Sequence, residues 1–357
     1  MRTICSIIFC LFLTFNVLAQ SGRKKQTAET QPMRPHPTID LPGDHVTSTP
    51  NASPTPPPKP SGDNADDNEI IRVQSTLVPI PVAVTDVRGN IVANLHLTDF
   101  ELRVDGQTQE ISNLSEAETP VRLALLFDNS SSVSVAREFE KKAATRFLKR
   151  VLRPGKDQAA LYSVSSVTQQ AQKLTGETRL LIQAIENFPP PQGATALLDG
   201  IVQAAQYLRE TVTDGRRVIV IVSDGVDTLS DITDLNPVVR EALIANCQVY
   251  VVKTTDFENF QRTGRRADNA NLQDLTAERR MQELAAQTGG AVYSPLDEKE
   301  MDAAFAQIAA ELSQQYVLSY YPNESKLDGS FKQISLTIPA QKQLTVRTRK
   351  GYYVPKS

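Results

Sequence analysis

The side chains best suited to chemistry in this chain are aspartate, serine and threonine residues next to apolar runs in three separate segments. One segment reads Asp-Asn-Ser-Ser-Ser, the second Gly-Ala-Thr-Ala-Leu-Leu-Asp-Gly, and the third Ser-Asp-Gly. Two carboxylates and three hydroxyls from these segments are oxygen donors, the ligands that Mg²⁺ prefers. The five candidate metal ligands are Asp128, Ser130, Ser132, Thr195 and Asp224. The alternative is a set of helix-capping hydroxyls with acids at strand ends.

A parallel sheet would place all five candidates at one edge. Four apolar runs are separated by helical patterns, which predicts an α/β fold with a doubly wound, mostly parallel sheet covered by helices on both faces. The runs are Leu123–Phe127, Ala159–Val164, Val218–Val222 and Val249–Val252, and the helical patterns cover 134–151, 178–187, 196–210, 235–246, 275–287 and 298–314. The pattern at Thr168–Leu174 predicts a short antiparallel edge strand. Open α/β sheets bind ligands beyond the carboxyl ends of their strands, where the candidate segments lie.

In order and spacing, the five candidates resemble the metal-ion-dependent adhesion site of von Willebrand factor type A domains. The resemblance implies a Rossmann-like fold and a bound Mg²⁺, with Mn²⁺ or Ca²⁺ as alternatives. It also implies that Ser130, Ser132 and Thr195 bind the ion directly, and that Asp128 and Asp224 do so directly or through water. A sixth coordination position would then remain open for an aspartate or glutamate side chain of a protein partner.

The resemblance covers residues 120–315, and the wider layout is similar to a bacterial group of exported von Willebrand factor A-related proteins. That group begins with a signal, has a β segment like Val82–Val104, and ends in a motif like Arg349-Lys-Gly-Tyr-Tyr-Val-Pro. Two-residue alternation over 70–118 and again over 316–357 predicts antiparallel strands. Neither segment has enough strands to be stable alone. We therefore expect one small β-sandwich into which the α/β domain, residues 119–315, is inserted.

The N-terminus has the pattern of an export signal. Arg2, the apolar run Ile4–Phe15 and the small residues before position 20 predict a signal peptide over 1–19, and a single membrane anchor is the alternative. Residues 20–69 are polar and proline-rich, which is typical of a disordered tether. We expect no stable membrane span after cleavage, and a periplasmic or extracellular protein. The mature chain would keep only Cys247, which we expect to be buried and unpaired.

Three neighbouring features have two interpretations each. Asp199 either orients the metal site or is an exposed acid in the first turn of a helix. Asp227 either contacts the site or is a surface acid. Residues 256–274 are expected to form a long polar loop, which either selects an acidic partner through its arginines or is simply solvated.

The composition and motifs favour a binding module over an enzyme. The net charge of −3 gives no reason to expect nucleic-acid binding. The chain lacks a Gly-x-Ser-x-Gly elbow, a His-Glu-x-x-His pair and a Walker A loop, and no histidine lies near the candidate serines. We therefore expect a protein-binding adhesion or interaction module without catalytic residues. The alternatives are a structural protein of envelope assembly with a fold-stabilising metal, and a metal-dependent hydrolase.

Overall fold

The computed structural model describes residues 77–115, 119–132, 137–265, 271–322 and 327–356. The predicted signal peptide and tether lie outside the described residues. Within those ranges, no helix is both long enough and apolar enough to cross a lipid bilayer.

Strands and helices alternate through the middle of the chain, and short strands stand at both ends. The described strands are β1 (Val78–Thr85), β2 (Glu101–Val104), β3 (Gln107–Gln109), β4 (Asn113–Ser115), β5 (Val121–Asp128), β6 (Gln158–Val164), β7 (Gln169–Thr175), β8 (Arg216–Ser223), β9 (Cys247–Lys253), β10 (Val292–Tyr293), β11 (Tyr316–Tyr320), β12 (Phe331–Thr337), β13 (Thr345–Arg347) and β14 (Gly351–Tyr353). The described helices are α1 (Arg137–Val151), α2 (Thr178–Glu186), α3 (Leu197–Thr211), α4 (Leu235–Ile244), α5 (Thr255–Thr263), α6 (Leu272–Thr288) and α7 (Glu298–Gln314).

Six strands form the central sheet in the order β10-β9-β8-β5-β6-β7. All neighbours pair in parallel except β7, which pairs antiparallel with β6 at the edge. The middles of the inner strands are apolar because helices cover both faces, and each face packs its own core. The predicted doubly wound sheet and its antiparallel edge strand are confirmed.

The flanking strands form two four-stranded antiparallel sheets, ordered β13-β1-β11-β4 and β14-β12-β2-β3. Strand β1, which precedes the α/β block, pairs with β11, which follows it, and Ile80 lies opposite Leu318. Alternate residues of both sheets face one shared apolar core. The prediction that the two ends of the chain join in one β-sandwich around the inserted α/β domain is confirmed.

The predicted polar loop over 256–274 is wrong in its first half. Residues Thr255–Thr263 form helix α5, which buries Phe257 and ends at Gly264 with a left-handed φ of 68°. Its helical period is hard to see in the sequence because Phe257 and Phe260 are its only apolar side chains. Residues 266–270 lie outside the described part of the chain.

Cys247 is the first residue of β9 and is buried, without a disulfide partner among the described residues. Burial raises the pKa of its thiol to about 12. We expect a thiol reagent at pH 8 to label the native protein far more slowly than the unfolded protein. Equal labelling rates with and without denaturant would contradict the placement of this residue.

Asp157 ties the loop before β6 to the start of β5. Its carboxylate accepts hydrogen bonds from the backbone N–H of Val121 (2.7 Å) and of Arg153 (2.9 Å), and from the Arg153 guanidinium (2.7 and 2.8 Å). Burial alone would raise its pKa, but these bonds outweigh burial and lower it.

We expect Asp157→Ala to lower the free energy of unfolding by about 1–3 kcal/mol, because it leaves a buried N–H without an acceptor. Because the pKa of Asp157 is lower in the folded protein, its carboxylate stabilises the fold at pH values above the unfolded-state pKa, near 3.9. This stabilisation is lost as the pH falls through the folded-state pKa. Urea titrations at pH 7 and pH 3 check both points. The difference between wild type and variant should shrink at pH 3, and an unchanged difference would contradict the assignment.

Candidate metal centre

The three candidate segments meet at the carboxyl edge of the central sheet, where β5 and β8 end. Asp128 is the last residue of β5, and Asp224 directly follows the last residue of the adjacent strand β8. Phe127 lies opposite Val222 in the parallel pairing, so the two aspartates leave the sheet side by side. Thr195 lies two residues before helix α3 begins at Leu197.

Asp128 is 1% exposed and its two carboxylate oxygens have different partners. Oδ1 accepts a hydrogen bond from the backbone N–H of Ser130 at 2.9 Å, which closes a tight turn after the strand. Oδ2 accepts one from the hydroxyl of Ser223 at 2.6 Å. The carboxylate is therefore held in one orientation by both loops that leave the sheet here.

The two serines and Asp224 belong to the same cluster. The hydroxyls of Ser130 and Ser132 lie 3.0 Å apart and share a hydrogen bond. The hydroxyl of Ser132 also lies close enough to the carboxylate of Asp224 to act to lower its pKa, and Asp224 Oδ1 accepts a hydrogen bond from Val226 N–H at 2.9 Å. Asp128, Ser130 and Ser132 are thus joined by hydrogen bonds, and Asp224 lies beside Ser132.

Thr195 lies on a loop that the first segment holds in place. The backbone N–H of Ser131 donates to the carbonyl of Gly193 at 3.3 Å, and the N–H of Thr195 donates to the hydroxyl of Thr228 at 2.9 Å. Thr195 is buried as a residue, and its own hydroxyl makes no hydrogen bond within the described residues. That hydroxyl is free to act as a ligand.

The electrostatics of the cluster suit a cation. Burial, and then the charge of Asp224, raises the pKa of Asp128 to about 6. Burial is also the main cause of a raised pKa at Asp224. Neither carboxylate forms an ion pair with a lysine or arginine in the part of the chain that the structure describes. Among the described residues, no group of three or more acidic, histidine or cysteine side chains is arranged to hold a metal ion, so a metal would depend on the hydroxyls as well.

Sequence reasoning underrated two acids and missed one serine. Asp227 accepts hydrogen bonds from the N–H groups of Leu197 (2.8 Å) and Leu198 (3.1 Å), so it caps helix α3 and positions Thr195 instead of being a surface acid. Asp199 accepts from two backbone N–H groups at 231 and 232, so it anchors the neighbouring loop. Ser223, the partner of Asp128, carried no signal beyond its place before Asp224.

Two glutamates lie in the interior beside the cluster, one on α1 and one on α5. Burial, and then the charge of Glu258, raises the pKa of Glu140 well above its usual value. Burial, and then the charge of Asp224, raises the pKa of Glu258 to about 8. Near pH 7 Glu258 is therefore largely protonated, and the charge available to a cation is that of Asp128 and Asp224. No sequence pattern pointed to this pair.

Comparison with known protein families decides the class of the central domain. Residues 123–305 match the family described as the von Willebrand factor type A domain. The chain belongs to this family. The match spans all five candidate ligands, and the domain is called the A domain below.

Solved structures with similar chains come from several bacteria. The PilB minor pilin from Streptococcus sanguinis is 15% identical over 58% of this chain, with a TM-score of 0.42. The present chain spans only 64% of the length of that pilin. The conserved hypothetical protein BatB from Bacteroides thetaiotaomicron is 14% identical over 53% of this chain and 97% of its own, with a TM-score of 0.40.

A protein described as von Willebrand factor type A from Catenulispora acidiphila is 10% identical, covers 80% of this chain and 74% of its own, and has a TM-score of 0.45. Comparison with curated proteins gives no match.

Proposed function

We propose that this protein is a metal-dependent interaction module. In this proposal Asp128, Ser130, Ser132, Thr195 and Asp224 hold a divalent cation, Mg²⁺ or in its place Mn²⁺ or Ca²⁺. The partner is a protein that presents an aspartate or glutamate side chain. The site binds and does not catalyse, and no residue is assigned a catalytic role.

The observation that carries this proposal is the pair of buried carboxylates without a cationic partner. Asp128 is 1% and Asp224 8% exposed, and the charge of Asp224 disfavours ionisation of Asp128. Lys253 lies nearby, but its ammonium group pairs with Glu278 at 3.0 Å. Buried like charges are unfavourable unless a counter-charge is present. A divalent cation supplies that counter-charge.

The donor set explains why the site would bind a partner and not only an ion. Three of the five ligands are neutral hydroxyls, so the chain provides at most two negative charges. Mg²⁺ seeks six oxygen ligands and, when bound here, would offer a coordination position and positive charge to a partner's carboxylate. Ser132 is exposed, so the cluster opens towards solvent at this point.

The domain organisation completes the proposal. Residues 1–19 act as an export signal and residues 20–69 as a tether. Residues 70–118 and 316–357 form the sandwich, and residues 119–315 form the A domain that presents the site. The protein acts outside the cytoplasm, in the periplasm or beyond the cell.

Capture of a partner tests this function. Purified protein without residues 1–19 is immobilised and exposed to envelope extract of the producing bacterium, either in Mg²⁺ or in a chelator. We expect bound protein in Mg²⁺ only, and none with Asp128→Ala. Asp231→Asn is the matched control, because Asp231 is an exposed acid in the loop after β8 that is outside the cluster.

The acidic character of the partner is tested on the same captured protein. Conversion of its carboxyl groups to amides with a carbodiimide and an amine should abolish rebinding in Mg²⁺. Rebinding that survives amidation, or capture that persists in chelator, would refute the proposed mode of binding.

A further inference from the structure

A second site lies at the opposite edge of the sheet, where strands β8 and β9 begin. A cavity of about 410 Å³ lies there between the A domain and the β-sandwich and is partly open to solvent. Its walls come from the start of β8 and of β9, from β1 and β11 of the sandwich, and from Arg349 near the C-terminus. This volume lies within the range of small-molecule sites.

Three arginines line this cavity, namely Arg216, Arg217 and Arg349. Arg216 and Arg349 are each 5% exposed, and Arg217 is partly buried. All hydrogen bonds that their guanidinium groups donate go to uncharged oxygens. The acceptors are the carbonyls of Leu312, Ala245, Val212 and Pro79 and the side-chain amide oxygens of Gln315 and Asn246.

The positive charge at the cavity has no carboxylate partner among the described residues. No carboxylate lies within ion-pair distance of these three arginines in the described ranges, and the Nε of each is buried without an acceptor. The nearest acids are used elsewhere: Asp214 pairs with Arg122, Glu241 with Arg209, and Asp157 with Arg153.

Burial lowers the pKa of both Arg216 and Arg349 to about 10, and the Tyr352 ring, 5.3 Å from the Arg349 guanidinium, offers only a weak cation–π contact. Buried charges are unfavourable in proteins unless they are paired. An anion in the cavity would supply the missing partner.

We propose that this cavity binds a small oxoanion, such as a carboxylate or a phosphate group, between the A domain and the β-sandwich. Arginine forks are suited to both groups because their N–H donors match the spacing of two oxygens. Hydroxyls of Thr213 and Ser319 line the same space and can donate to the oxygens of such a group. A ligand held from both sides would stabilise the junction of the two domains.

The experiment must distinguish an external anion from a carboxylate of the chain itself. Glu116 and Glu118 lie in sequence between Ser115 and Thr119, which both line the cavity, but they are outside the described residues. The double variant Glu116→Gln, Glu118→Gln removes both carboxylates. If the chain filled its own cavity, the wild type would not respond to an added anion and the double variant would.

The experiment measures the melting temperature of the purified protein in sodium phosphate and in sodium acetate, each against sodium chloride at equal ionic strength. A ligand that binds only the folded state raises the melting temperature with concentration. We expect such a rise for wild type and for Arg103→Gln, an exposed arginine on β2. Arg217→Gln should bind about tenfold more weakly or worse, because a charge-assisted hydrogen bond is lost.

A second variant keeps the test decisive if arginine variants fold poorly. Thr213→Glu places a carboxylate at an exposed position of the cavity wall. It should raise the melting temperature in chloride and reduce the response to phosphate, whereas Thr213→Gln should do neither. The proposal is overturned if neither anion stabilises the wild type beyond chloride, if Arg217→Gln and Thr213→Glu respond as the wild type does, or if only the Glu116/Glu118 double variant responds.

Discussion

Replacing Asp128 by asparagine should abolish divalent-cation binding and yet leave the protein as stable as the wild type, or more stable, in chelator. The substitution keeps the shape of the side chain but removes one of the two carboxylates of the site. Burial and the charge of Asp224 raise the pKa of Asp128 to about 6, so its ionised form opposes folding at pH 7. A raised folded-state pKa means that stability is lost as pH rises through that value, and asparagine avoids this loss.

Two measurements test the expected loss of cation binding and the expected stability of Asp128→Asn. The affinity for Mn²⁺ is followed by calorimetry, and the melting temperature is recorded in Mg²⁺ and in chelator. A ligand at a hundred times its dissociation constant stabilises the folded state by about 2.7 kcal/mol. For a domain of this size that corresponds to a rise of roughly 5–10 °C in the wild type, and we expect no rise in Asp128→Asn.

Ser132→Ala is the graded comparison. Ser132 supplies a neutral hydroxyl at the exposed side of the cluster, and a water molecule can replace it as a ligand. The loss of affinity should therefore be smaller than for Asp128→Asn. If all three proteins bound Mn²⁺ equally, the cluster would be a set of strand-end caps and the interaction site would lie elsewhere.

The sheet and the clustering of four candidates were predictable because both depend on local patterns. Continuous apolar runs identify buried strands, and parallel strands bring their carboxyl ends to one edge whatever the rest of the chain does. Asp128 and Asp224 therefore meet because β5 and β8 are neighbours. The sandwich followed from two-residue alternation at the two ends of the chain, since neither end alone can cover its apolar face.

The remaining features depend on contacts that no local pattern encodes. Asp227 caps a helix that begins thirty residues earlier in the chain, so its role follows only from the packing of two loops. Glu140 and Glu258 come from helices far apart in sequence, so their proximity follows only from tertiary packing. In the sequence, the three arginines of the cavity are charges at the start of a strand and near the C-terminus. Only the packing of the sandwich against the A domain brings them to one cavity.

The largest effect on stability should come from Glu311, which joins helix α7 to the sandwich. Its carboxylate is fully buried, accepts a hydrogen bond from the hydroxyl of Tyr293 at 2.9 Å, and forms an ion pair with Arg347 of strand β13. Strand β13 pairs with β1, so the contact connects the last helix of the A domain to the sheet that contains both ends of the sandwich.

Glu311→Ala leaves the guanidinium of Arg347 partly buried without its counter-charge and Tyr293 without its acceptor. Breaking one partner of a buried pair costs about 3–5 kcal/mol, and we expect the free energy of unfolding in urea to fall by that amount. Glu298→Ala, on the exposed side of the same helix beside Arg146, should change it by less than about 1 kcal/mol.

Arg347→Met separates the contribution of the Glu311–Arg347 ion pair to stability from that of Glu311 alone. Alone it should also destabilise, because Glu311 is then buried without a cation. Together with Glu311→Leu it should recover much of the loss, since an apolar pair of similar volume replaces the charges without a desolvation penalty. If the loss of unfolding free energy in the double variant equalled the sum of the losses in the two single variants, the two side chains would act independently. Helix α7 would then be held to the sandwich by apolar packing alone.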